Sequence, residues 1–147
     1  MKSQAQLVAD RELENVGAIV GDFAWGRSIQ SAIEDEFPVD VQVEVAPVTA
    51  NDFRSQLRSF DNLDMFIATG LPPGQLTMSN QLFSIGLEPE LISGSGYPIS
   101  LLNEALEDPA REATVMYHLN DVESEAYTEV AQRYAEETGE YFGPNIS

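Results

Sequence analysis

The spacing of apolar residues changes repeatedly along this chain, and each change marks an element. Residues 16–20, Val-Gly-Ala-Ile-Val, form a short continuous apolar run suited to a buried strand. A turn-rich loop, Gly21-Asp22-Phe23-Ala24-Trp25-Gly26, follows at once. Ile29, Ala32, Ile33 and Phe37 then recur at helical spacing, predicting a helix from about residue 26 to 37 that Pro38 stops. Residues 41–45 alternate, with Val at 41, 43 and 45, which predicts a strand at a sheet edge with one face less buried. Phe53, Leu57 and Phe60 mark a further helix, with Asn51 or Asp52 placed to accept a bond from a first-turn amide. Residues 63–68 hold Met65, Phe66 and Ile67 without a break and read as a strand buried on both faces.

The same reading continues to the end of the chain. A helix is predicted over 74–85, with Gly86 as its terminator, then a short strand over 90–93. A helix over 99–106, a strand over 113–119 and a helix over 123–138 complete the pattern. The last helix carries Ala126, Tyr127, Val130, Ala131 and Tyr134 on one face, and Gly139 ends it. Ahead of the first strand, residues 3–14 read as a helix with Leu7, Val8 and Arg11 around one face and Ser3 as its cap. Five strands alternate with helices and no hairpin signal intervenes. This predicts an α/β fold: a three-layer αβα sandwich around a five-stranded parallel sheet, Rossmann-like, with right-handed crossovers. The 147 residues suit one domain, with 43% hydrophobic content to fill its core.

Charge alters the picture. Asp and Glu number 25 against 7 Lys and Arg, a formal net charge of −18, and Lys2 is the sole lysine. Such a surface repels phosphate backbones, so no nucleic-acid partner is expected. Its self-repulsion fades near 1 M salt, where the screening length is about 3 Å. Carboxylate excess with almost no lysine matches halophilic proteins; an acidic mesophile protein is the alternative. Cysteine is absent, which removes disulfides, thiolate nucleophiles and thiolate metal sites. No apolar run reaches the roughly 18 residues of a membrane span, and no secretory signal follows Lys2.

The search for chemistry finds no catalytic set. His118 is the only histidine and has no acid or nucleophile at a telling spacing; local packing or solvation explains it. One histidine and no cysteine argue against zinc, and no EF-hand spacing is present. The pairs Asp35-Glu36 and Glu136-Glu137 read as solvated helix faces. The loop GDFAWG is neither a dinucleotide fingerprint nor a Walker motif, and Gly94-Ser95-Gly96 is a lone GxG suited to a tight turn. A phosphoacceptor receiver lacks its aspartate here, because Ala68-Thr69-Gly70 ends the third strand. No catalytic residue, metal or cofactor is therefore expected.

What remains is three loops at one edge of the predicted sheet, residues 21–26, 69–74 and 93–98. They carry Phe23, Trp25, Leu71, Pro72, Pro73 and Tyr97, with polar atoms from Asp22, Thr69, Ser93 and Ser95. Aromatic walls with a few polar groups suit a small-molecule cleft. For Trp25 and Tyr97 taken singly, a place in the core is the competing reading.

The order of these segments resembles the second lobe of type I periplasmic solute-binding proteins, the branched-chain amino acid (Leu-Ile-Val) receptor group. Asp22, Trp25 and Gly26 fit that family's D-x-x-(aromatic)-G loop after its first strand. Thr49-Ala50-Asn51-Asp52-Phe53 is similar to its T-D-F segment, Leu63-Asp64-Met65-Phe66-Ile67 to its third strand, and Gln81 to Leu87 to its q-a-x-x-x-G-l helix end. The resemblance spans residues 3–144; each motif is degenerate and their order is the specific part. It implies a non-enzymatic receptor lobe, extracellular or at the cell surface, that binds a small solute and serves an ABC transporter's membrane subunits. A partner lobe, an export signal and closing helices of the same parent chain are then missing, as in a truncated product or fragment. Carried over, the ligand contacts are Trp25, Gly70 and Leu71, and Ser95 and Gly96, with Tyr97 as a further wall and Asp22 capping the helix or orienting the loop. Ser95 stands where amino-acid-binding relatives place an acid, so a neutral, amide-like or aromatic solute is as good a fit as an amino acid. The alternatives are a sensor lobe of a receptor or transcription regulator, and a small carboxylate-assisted α/β hydrolase.

Overall fold

The apolar run after Asn15 becomes the centre of a sheet. The computed structural model describes residues 1–70, 74–94, 114–116 and 125–138. Strand β1 (Val16–Gly21) pairs with β2 (Val41–Ala46) on one side and β3 (Met65–Ala68) on the other. Strands β4 (Leu91–Gly94) and β5 (Thr114–Met116) complete a five-stranded sheet in the order β2-β1-β3-β4-β5. All four pairings are parallel, and Val16 is in register with both Val41 and Met65.

Side chains alternate across the sheet and divide the core in two. Val16, Ala18, Met65, Ile67 and Leu91 face one way. They pack with Val8 of α1 (Lys2–Asp10) and Ile33 of α2 (Ala24–Glu36). Ile19, Phe66, Ala68 and Ile92 face the other way. Phe53, Phe60, Leu57 of α3 (Arg54–Leu57) and Met78 and Leu82 of α4 (Gly74–Ser84) cover that side. This is the predicted three-layer α/β architecture. The continuous apolar strands β1 and β3 lie inside the sheet, buried on both faces, and the alternating β2 is an edge strand.

Helix ends differ from the sequence reading in instructive ways. The N-terminal helix begins at Lys2 with Met1 as N-cap, ahead of Ser3, so Ser3 is not its cap. It ends at Asp10, not Glu14: the Leu13 amide donates to the Val8 carbonyl at 3.0 Å and the Glu12 amide to Ala9 at 3.3 Å. Those two bonds with Glu12 at φ 53 make a Schellman ending, and Leu13 folds back against Val8 in the core. Helix α2 starts two residues earlier than predicted and gives way at Phe37, whose extended backbone is what a following proline requires.

Helix α3 is one turn only, with Phe53 as N-cap. Asp52 still accepts from the Arg54 amide at 3.1 Å, as an Asx turn, while the Phe53 amide donates to Gln81 Oε1 at 2.7 Å. The Arg54 guanidinium hydrogen-bonds the same carboxylate and lowers the Asp52 pKa to about 2. Helix α4 ends as predicted at Gly86, φ 84. The last helix, α5, is Glu125–Thr138; Ala131 and Tyr134 are half-buried on it and Val130 is exposed. The predicted helix over 99–106 and most of the strand over 113–119 lie outside the described residues.

Candidate functional site

The strand order sets where a ligand can sit. The helix after β1, α2, lies on one face of the sheet, and the helix after β3, α4, lies on the other. The two chains therefore diverge at the carboxyl ends of β1 and β3 and leave a crevice, the usual ligand position in open parallel sheets.

The loop from Gly21 to Gly26 is held tightly at this point. Its Asp22 amide donates to the Ala46 carbonyl at the end of β2, 2.8 Å, and its Phe23 amide to the Gly21 carbonyl, 2.8 Å. Gly26 is buried in the first turn of α2, and a Cβ there would lie 1.9 Å from the Gly21 carbonyl oxygen. Only glycine lets the helix approach the strand so closely. Phe23 and Trp25 pack against each other, ring centroids 5.8 Å apart and tilted by 38°.

From there the two rings part into two clefts. Phe23 lines one of about 350 Å³, together with Gly21, Pro47, Val48, Gly70 and Thr77. Trp25, 40% exposed, lines the other, of about 250 Å³, with Gln4, Ile29, Ile67 and Gly94. Thr69 borders both. It is no free polar group: its hydroxyl and its amide both donate to the Ile19 carbonyl, at 2.8 and 3.1 Å, and tie β3 to β1. Among the described residues no titratable side chain lines either cleft, although Met1, which bears the α-amino group, is part of the smaller one's lining. Among the described residues no group of three or more His, Cys, Asp and Glu could hold a metal ion.

The structure thus brings Trp25 and Gly70 to the rim of β1 and β3. Asp22 lines neither cleft, and it does not cap α2, whose N-cap is Phe23 with no side-chain cap bond. Its exposed carboxylate instead accepts from Arg27 Nη1 at 2.8 Å, bracing the loop against the first turn of the helix. Leu71, Ser95, Gly96 and Tyr97 lie outside the described residues, as does His118.

Two contributions escape the sequence reading. The segment after β2, Pro47 to Asn51, walls the larger cleft. Its place follows from β2 lying beside β1, which the order of elements along the chain does not state. Gln4 is the second. It sits four residues before Val8 on the inward face of α1, at 5% exposure, where the helical period calls for an apolar residue. Its Nε2 donates to the buried hydroxyl of Ser93 at the end of β4.

No protein-family model matches the sequence, and comparison with curated proteins finds no match. Solved structures do match. One is described as an ABC transporter permease from the Pseudomonas fluorescens group, at TM-score 0.61 and 15% identity, covering 98% of this chain and 38% of that one. Another is a fatty acid ABC transporter substrate-binding protein from Thermomonospora curvata, at TM-score 0.58 and 16% identity, covering 95% and 39%. The fold is that of a periplasmic binding protein lobe. At these identities the likeness concerns the fold alone, and this chain spans under two fifths of either neighbour. Among the described residues no helix is long and apolar enough to cross a membrane.

Proposed function

We propose that this chain is the second, ligand-recognising lobe of an extracytoplasmic solute-binding protein, and that it binds a small solute without converting it. The observation that carries the reading is the chemistry of the two clefts. They open where β1 and β3 diverge, Phe23 and Trp25 wall them, and among the described residues no acidic, basic or thiol side chain lines either. Such a lining favours recognition by packing and a few neutral hydrogen bonds over proton transfer or covalent catalysis. The neighbour from T. curvata, a fatty acid ABC transporter substrate-binding protein, supports a transport role in which a second lobe closes on the solute and ABC membrane subunits receive it.

Trp25 is the only tryptophan and reports directly on its cleft. Titrating neutral, anionic and cationic small solutes against its emission should give a saturable shift for at least one class. Affinity should be weak, because a single lobe covers one side of its ligand. Turnover of a solute, or no emission change with any class, would overturn the reading.

A further inference from the structure

Resting on that reading, we infer that the larger cleft seats the apolar part of the solute and that Phe23, rather than Trp25, is the aromatic that receives it. The ligand class is a small molecule with a ring-sized or branched apolar body. Phe23 is held in place from several directions. Its amide donates to the Gly21 carbonyl at 2.8 Å, and the preceding Asp22 amide donates to Ala46 at the end of β2, also at 2.8 Å. Its ring lies across Gly21, where an added Cβ would come within 2.4 Å of the ring edge. The Trp25 ring backs it at a centroid separation of 5.8 Å. An aromatic fixed in this way loses little freedom on binding, which makes it a good anchor.

The other walls suit the same kind of guest. Pro47 and Val48 line the cleft from the turn after β2, which the Ala50 amide closes by donating to the Pro47 carbonyl at 2.9 Å. Val48 is 51% exposed, so a large apolar side chain stands uncovered at the cleft, and burying it against an apolar guest is favourable. Phe53, ahead of α3, and Met78 of α4 are buried and line the cleft too. The Met78 terminal methyl lies 3.2 Å from where a Cβ on Gly70 would stand. A thioether side chain in that position re-packs readily around guests of different shape. Thr49 and Asn51 bring hydrogen-bonding groups to the same lining and are exposed, so a polar end of the guest stays hydrated beside them.

The smaller cleft is the poorer seat. At about 250 Å³ it falls below the roughly 300 Å³ at which small-molecule sites usually begin, whereas the larger, at about 350 Å³, lies within that range. Met1, which bears the α-amino group, is part of the smaller lining, and a hydrated ammonium is a poor neighbour for an apolar body. Trp25 then serves the larger cleft as a positioning residue, backing the Phe23 ring.

Methionine methyl groups can locate the guest, because Met78 lines the larger cleft, Met1 lines the smaller one and Met65 is buried in the core. Cyclohexanol and inositol share one carbon ring and differ in polarity. With the full 147-residue chain in molar KCl and its methionine ε-methyl groups isotopically labelled, cyclohexanol should shift the Met78 resonance saturably and leave those of Met1 and Met65 nearly still. Inositol should bind about tenfold more weakly. Phe23→Ala should weaken cyclohexanol binding by about tenfold, and Trp25→Phe, which keeps an aromatic backing, by less than about threefold. Phe23 is half-buried and caps α2 without a side-chain bond, so its ring can be removed without unmaking that helix end. The methyl shifts of the wild-type chain decide the matter if Phe23→Ala does not fold. A saturable shift at Met1 without one at Met78, equal binding of inositol, or unchanged affinity in Phe23→Ala overturns this inference and leaves solute binding standing. Silence of every methyl towards cyclohexanol overturns the inference as well, and the wider solute panel then decides whether the binding role survives.

Discussion

At the scale of single residues, Gly26 carries the most constraint. Alanine is the better helix former by about 1 kcal/mol, so propensity alone says Gly26→Ala should stabilise α2. The packing says the opposite: the new methyl would meet a backbone carbonyl at 1.9 Å, and a backbone cannot swing aside as a flexible side chain can. Overpacking of that kind costs on the order of 3 kcal/mol or more. The urea midpoint of Gly26→Ala should fall well below wild type, and Trp25 emission should shift as its ring separates from Phe23; an unchanged midpoint would refute the close approach. Residue type alone reveals part of this site. Trp25 and Gly70 are legible because aromatic and glycine residues cluster after predicted strands. Gln4 is not, because a polar residue on the buried side of an amphipathic helix looks like a break in the pattern until its Ser93 partner, 89 residues away in sequence, is seen. The role of Asp22 is hidden for a related reason: an acid before a helix suggests a cap, and only the structure shows Arg27 claiming it.

At the scale of elements, two helices end with the same Schellman pattern built from different residues. Gly86 occupies the left-handed position after α4 at φ 84, and Glu12 occupies it after α1 at φ 53. An added Cβ at Gly86 would meet nothing within 4 Å, so Gly86→Ala isolates the backbone penalty. It should lower stability by about 1 kcal/mol. Glu12→Gly should raise it by a similar amount, since an exposed glutamate in that conformation already bears the strain. Urea midpoints measured in the same salt should move in opposite directions; movement in the same direction would contradict the shared ending. The contrast also explains what can be read beforehand. Glycine announces a stop, so the end of α4 is legible. Glutamate is an ordinary helix residue and Leu13 continues the apolar spacing, so the helical pattern runs past the true end. Strands are the clearer signal: the unbroken apolar runs of β1 and β3 mark inner strands, and the alternation of β2 marks an edge.

At the scale of the molecule, charge decides behaviour. The ion pairs among the described residues, Lys2–Glu36, Arg11–Glu90, Arg27–Asp22 and Arg54–Asp52, all lie at the surface and are each worth little. With 25 acids against 7 basic residues, most carboxylates have no cation to pair with, and repulsion outweighs these contacts. Salt weakens both, so the net effect follows the larger. The thermal midpoint should rise from 0.1 M to molar KCl, as the screening length falls from about 10 Å to about 3 Å. A flat or falling midpoint would place the chain with acidic proteins that do not depend on salt.

The position of β1 has a consequence for how the chain acquires its shape. This strand is synthesised before both of its neighbours, and one of them, β3, arrives only after α2, β2 and α3 have been made. Parallel partners cannot be joined by a tight turn, so the entropy of closing long loops is lost before pairing returns anything. Until β3 docks, the apolar row of β1 has one open flank. The nascent half-sheet is then most exposed to wrong partners, and its own acidic surface, by keeping copies apart, doubles as protection during folding.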